Sequence, residues 1–142
     1  MKSSRICVDS SFLIRLVVAD PTSPIAEKKW EEWAKEKRII SAPALLFFEV
    51  TNALHRYTRH GVLTVAEGEE ALSLTSRFDI EFHHERELHL AALHMARRFD
   101  LAATYDAHYL ALAESLGAEL WTADAKLVRA VGPELEWIHL IA

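Results

Sequence analysis

A chain of 142 residues that is 51% hydrophobic and 26% charged has the profile of one ordinary globular domain, able to bury a core without disulfides. Its single cysteine, Cys7, stands in an apolar run, which excludes a disulfide framework and points to a reducing cytoplasm. The formal charge of −5 excludes a grip on nucleic acid by bulk positive charge; Phe12 to Ala19 is too short for a membrane span and contains Arg15, and Asp9 interrupts any signal-peptide core.

In chain order, Arg5 to Val8 reads as a short buried strand that ends at Asp9. A helix over Ser10 to Val18 follows. Ser23 and Pro24 mark the next helix, with Ser as N-cap and Pro at the first helical position, and it runs to about Lys37. Arg38 to Ser41 is a short strand, and Pro43 opens a helix that reaches about Arg59 and stops at Gly61. Thr64 and Glu67 spell a capping box ahead of another helix. Asp79 to His83 alternates as a strand does, and Glu87 to Phe99 sets Leu88, Ala92, Met95 and Phe99 on one helical face. Thr104 is read as the cap of a helix from Tyr105 to Leu116, which Gly117 ends. Glu119 to Thr122, Ala125 to Ala130 and Trp137 to Leu140 complete the chain as strand, short helix and strand. Strands alternating with helices predict an α/β domain with a parallel sheet, undivided over residues 1–142.

Such a sheet binds ligands at the carboxyl ends of its strands. Asp9 directly follows the first strand, Asp124 lies just past the strand ending at Thr122, and Asp106 lies in a first helical turn. Glu49 is on the helix after Pro43 and flanks its apolar face of Leu46, Val50, Ala53, Leu54 and Tyr57. Taken singly, each acid has a structural explanation: a helix cap, a dipole partner, a solvated surface. Four at one edge repel one another and raise one another's pKa, so a fold that gathers them implies a cation. Oxygen ligands without histidine or cysteine suit Mg²⁺ or Mn²⁺, and such a site supports attack of water at phosphorus.

The stretch YDAHYLALAESLGAELWTADAKL (Tyr105 to Leu127) closely resembles the C-terminal signature of PIN-domain ribonucleases of the VapC type, the toxins of toxin–antitoxin pairs. ICVDSSFLIRL (Ile6 to Leu16) is similar to their first strand and helix, and SAPALLFFEVTNAL (Ser41 to Leu54) to their second signature, with its acid at Glu49. The resemblance implies a PIN-like three-layer sandwich, a five-stranded parallel sheet with helices on both faces. It implies an endoribonuclease whose Mg²⁺ or Mn²⁺ is held by Asp9, Glu49, Asp106 and Asp124, with Thr122 orienting the site and Ser10 as a second candidate for that role. It implies a homodimer and an inhibiting antitoxin of the VapB kind as partners, besides RNA as substrate, which is expected to be single-stranded or looped because a narrow pocket reaches an exposed backbone more easily than one within an A-form duplex. Trp121 is bulkier than the residue expected before Thr122.

Other features are set aside. His84 and Glu85 begin a zincin-like pattern, but the next histidine, His89, falls about 140° around a helix, off the shared face. His108, two residues after Asp106, reads as a surface or partner-facing residue. Trp30 and Trp33 read as packing or interface residues, and together with Leu45, Phe47 and Phe48 they exceed what one buried face needs and suggest an interface. Two rival functions remain: an aspartyl-phosphate enzyme built on Asp9, and a non-catalytic acidic module that binds a basic peptide. Ser11 stands where a haloacid-dehalogenase-like enzyme would want a second acid, and Lys126 is poorly placed for a receiver-domain lysine.

Overall fold

Residue 6 is where the sheet is best understood, because its neighbours on both sides are fixed by register. In the computed structural model, which describes residues 4–142, Ile6 pairs with Ile40 on one side and Glu119 on the other, both in parallel. The elements run β1 (Arg5–Val8), α1 (Ser10–Val17), α2 (Ser23–Lys35), β2 (Ile39–Pro43), α3 (Leu45–Arg59), α4 (Val65–Ser76), β3 (Ile80–His83), α5 (Arg86–Arg98), α6 (Tyr105–Leu116), β4 (Glu119–Thr122), α7 (Ala125–Val131) and β5 (Ile138–Leu140). The five strands lie in the order β3-β2-β1-β4-β5, all parallel, so β1 is central. Because β1 carries hydrophobic residues at every position from Ile6 to Val8, both its faces are buried, as a central parallel strand requires.

The alternation of side chains assigns the helices to two layers. Ile6, Val8 and Ile40 pack with Phe12 of α1 and with Ala26 and Trp33 of α2. Cys7, Leu120 and Ile138 pack with the apolar faces of α5, α6 and α7. Burial of Phe12, which is wholly inaccessible, contributes about 1.5–3 kcal/mol. Burial also pushes the Cys7 thiol up to about 12, so it is an inert core residue. On the same sheet face, a polar line crosses three strands. Glu81 accepts two hydrogen bonds from Arg5, at 2.8 and 3.1 Å, and one from Ser41 at 3.1 Å. Bonds from Arg5 first, then His83, hold the Glu81 carboxyl down to about 2. Among the described residues no helix is long and apolar enough to cross a membrane.

Several local expectations shift. Thr22, not Ser23, is the N-cap of α2; the Ser23 hydroxyl instead accepts from the Asp20 amide at 3.0 Å. Pro43 ends β2 rather than opening α3, because pairing with β3 carries the strand on to Pro43 opposite His83. Thr104 occupies the N-cap position of α6 without a side-chain cap bond. Of the five large apolar groups read as interface, Trp33 is 3% exposed, and Trp30 stacks among Phe12, Trp33 and Phe78; Phe48, at 75%, is the one that stands in solvent.

Candidate active site

The fold brings the acids to one edge by three routes. Asp9 and Asp124 each follow a strand directly and cap the next helix, α1 and α7. Glu49 lies about one turn into α3, which starts where β2 ends. Helix α6 runs back against the strands, since the αL turn at Gly117 returns the chain into parallel β4, so its first turn and Asp106 lie at the same edge.

Asp9 is 4% exposed and fully engaged. Its Oδ1 accepts from the Phe12 amide at 3.0 Å and the Ser11 hydroxyl at 2.7 Å, and its Oδ2 accepts from the Thr122 hydroxyl at 2.5 Å. Ser11 also accepts from the Ala123 amide, and Thr122 from the Asp124 amide, at 2.9 and 3.0 Å. The two hydroxyls thereby lock the loop after β4 to the end of β1. Burial lifts the Asp9 carboxyl to about 6; the hydrogen bonds oppose that rise and the charge of Asp106 adds to it.

Asp106 is half-buried, and its carboxylate takes no hydrogen bond among the described residues. Burial first, then the charges of Asp124 and Glu49, raise its pKa above the ordinary aspartate value. The Tyr109 hydroxyl, one turn along α6 and buried, donates to Glu49 Oε1 at 2.5 Å. Burial and the Glu49 charge push the Tyr109 phenol up, and the Ser10 hydroxyl opposes that rise. Asp124 spends one oxygen on its cap, accepting from the Lys126 and Leu127 amides at 3.0 and 3.1 Å.

Glu49, Asp106 and Asp124 line one cavity of about 580 Å³, together with Tyr105 and Lys126. Asp9 does not line it; it lies buried, coupled to the cavity through Asp106. The repulsion foreseen between the acids is present, but burial is the larger cause of both aspartate shifts. Among the described residues no group of three His, Cys, Asp or Glu side chains is arranged to hold a metal ion as it stands. Asp9 already has both oxygens occupied, and Glu49 is drawn toward Tyr109. The donor chemistry nevertheless fits a hard divalent cation: all oxygen, all acidic, with one carboxylate unsatisfied and raised in pKa by its neighbours.

Thr122, read as orienting the site, bonds to Asp9, as does Ser11, which the sequence reading did not single out for the site; Ser10, the second candidate, makes no bond to Asp9 among the described residues. Tyr109 went unnoticed, although its spacing of three from Asp106 on one helix was a usable signal. Pairing of Asp9 with Thr122 needed the β1–β4 register, which sequence spacing does not carry.

A doubly layered parallel α/β domain with an acidic cleft at the carboxyl edge of its sheet defines the class. A family model of the PIN domain matches residues 6–132, and the chain belongs to that family. It is 30% identical over 125 residues to ribonuclease VapC3 of Pyrobaculum aerophilum, covering 87% of this chain and 92% of that protein. It is 33% identical over 128 residues to ribonuclease VapC3 of Mycobacterium tuberculosis, covering 89% of this chain and 87% of the relative. A solved toxin–antitoxin complex from Klebsiella pneumoniae shares the fold with a TM-score of 0.69 at 16% identity, over 96% of this chain and 98% of the other.

Proposed function

We propose that the protein is a divalent-metal-dependent endoribonuclease that cuts single-stranded or looped RNA, the toxin of a two-protein toxin–antitoxin system. The observation that carries this reading is the single cavity lined by Glu49, Asp106 and Asp124, with Asp9 behind Asp106. Relatives of both VapC3 kinds, matched over most of their length, are ribonucleases by name. Asp9, Glu49, Asp106 and Asp124 would hold Mg²⁺ or Mn²⁺. When bound, such an ion supplies Lewis acidity toward a phosphate and lowers the pKa of water. Thr122 and Ser11 hold the Asp9 carboxylate in a fixed orientation. Tyr109 positions Glu49 through its hydroxyl. Lys126, at the cavity wall, sets a positive charge beside an otherwise anionic surface and favours an approaching phosphodiester.

A small antitoxin would close the same cavity, an arginine side chain competing with the ion for the carboxylates. A homodimer accompanies this reading. Exposed Phe48, with Phe47 against Phe82, borders an apolar cleft of about 510 Å³ on α3 suited to protein contact. The rival aspartyl-phosphate reading is disfavoured by Asp9 itself, because a carboxylate that is 4% exposed with both oxygens bonded is a poor nucleophile.

The deciding experiment is cleavage of a short unstructured RNA by nuclease-free protein. Mg²⁺ or Mn²⁺ supports it, EDTA abolishes it, and Asp9→Asn or Asp106→Asn slows it by orders of magnitude. Undiminished cutting in EDTA, or by Asp106→Asn, would refute the proposal. Light scattering at high micromolar concentration tests the dimer, and co-expression with the neighbouring small gene tests the antitoxin.

A further inference from the structure

Beside the acidic cavity lies a second one, of about 270 Å³, bordered by His84, His89, His108, Leu45 and Leu88. Tyr105 belongs to the walls of both cavities and is 60% exposed, although it is a large aromatic residue next to Asp106. Nothing in the folding of the chain calls for an aromatic ring in solvent there. The volume falls below the roughly 300–1,000 Å³ of sites for drug-sized ligands and suits one planar group.

The imidazoles are ordered. His108 Nδ1 lies 2.6 Å from the Thr104 carbonyl, which only accepts, so Nδ1 donates. His108 Nε2 lies 2.9 Å from His89 Nδ1, with the two rings nearly edge to face at 71°. With both rings neutral, Nε2 of His108 accepts from Nδ1 of His89, which leaves Nε2 of His89 as an acceptor. His83 is the back wall and is occupied, its nitrogens 2.8 and 3.2 Å from Glu81 and Glu85.

We infer that this histidine-lined cavity is a nucleobase subsite, holding the base of the nucleotide next to the phosphate at Asp106, with Tyr105 as its stacking platform. The inference rests on the ribonuclease reading above. A base offers what the cavity lacks: a flat apolar body for Tyr105, Leu45 and Leu88, and edge groups for imidazole. Aromatic stacking on single strands is sequence-tolerant and holds the chain in place, so the subsite positions RNA rather than performing chemistry.

The test pairs an abasic substitution with side-chain substitutions. RNA carrying one abasic nucleotide beside the cut should lose roughly tenfold in kcat/KM with the unmodified protein, mainly through KM. Tyr105→Ala should lose roughly as much on intact RNA and lose little more on the abasic strand. His89→Ala should behave like a weaker version of Tyr105→Ala. In parallel, in EDTA, a short intact RNA should shift the His89 and His108 imidazole resonances, and its abasic counterpart should not. If cleavage proceeds but Tyr105→Ala and the abasic strand are each without effect, the subsite is refuted while the ribonuclease stands. If no RNA is cut but the imidazole shifts occur, the subsite stands and the activity falls. Absence of both effects refutes the subsite.

Discussion

At the scale of single residues, Asp9 carries the sharpest consequence. In the folded chain its carboxyl titrates near about 6, because burial outweighs its hydrogen bonds, and in the unfolded chain near about 4. Between those values the folded state keeps a proton the unfolded chain has lost. Stability from this group is therefore full below about pH 4 and declines as pH rises to about 6, by a few kcal/mol at most. Thermal melts in EDTA should show that decline, and Asp9→Asn should flatten it while removing activity. Tyr109→Phe isolates a second residue. The ring stays in its core position, and Glu49 loses a 2.5 Å partner. Cleavage should fall by roughly tenfold and stability by about 1 kcal/mol, with divalent affinity measured alongside to separate positioning from folding. Both residues show the limit of reading acids alone. The carboxylates were legible from their places after strands and near helix starts, but Thr122 and Tyr109, which hold two of them, lie 113 and 60 residues away in the chain.

At the scale of elements, punctuation in the sequence was the most readable part. Thr64 and Glu67 form the full capping box of α4, with bonds of 3.1 and 2.9 Å, and Gly117 ends α6 with φ of +60°. Both are local chemistry. Gly117 also turns α6 into β4 and so sets Asp106 at the same edge as Asp124. An alanine there has room, since nothing lies within 4 Å of an added Cβ, but it must adopt the left-handed region. Gly117→Ala should therefore cost about 1–2 kcal/mol in denaturant titration, from backbone strain alone. What was misread depended on a neighbour in space. Pro43 looked like a helix start until β3 extended the strand through it, and Trp33, open to packing or interface, is assigned to packing by its place in the core.

At the scale of the molecule, the strand–helix alternation was enough to foresee a parallel sheet, while the order β3-β2-β1-β4-β5 required the structure. The formal charge of −5 and the acids left in mutual repulsion at one edge lead us to expect a folded state that responds to divalent ions. A ligand that binds only the folded chain stabilises it by about 2.7 kcal/mol at a hundred times its Kd. Mg²⁺ should accordingly raise the Tm in calorimetry, and Asp106→Asn should abolish that rise while melting no lower than the unmodified protein in EDTA. Equal Mg²⁺ shifts for both proteins would locate the ion elsewhere.

The bond from Thr122 to Asp9 joins residues 113 apart in the chain. Asp9 is translated before Asp124, so a nascent chain that has not yet reached β4 lacks one wall of the cleft. The acids become a site only when β4 slots beside β1, so the cleft is assembled last from its C-terminal wall, after Asp9, Glu49 and Asp106 are already in the chain.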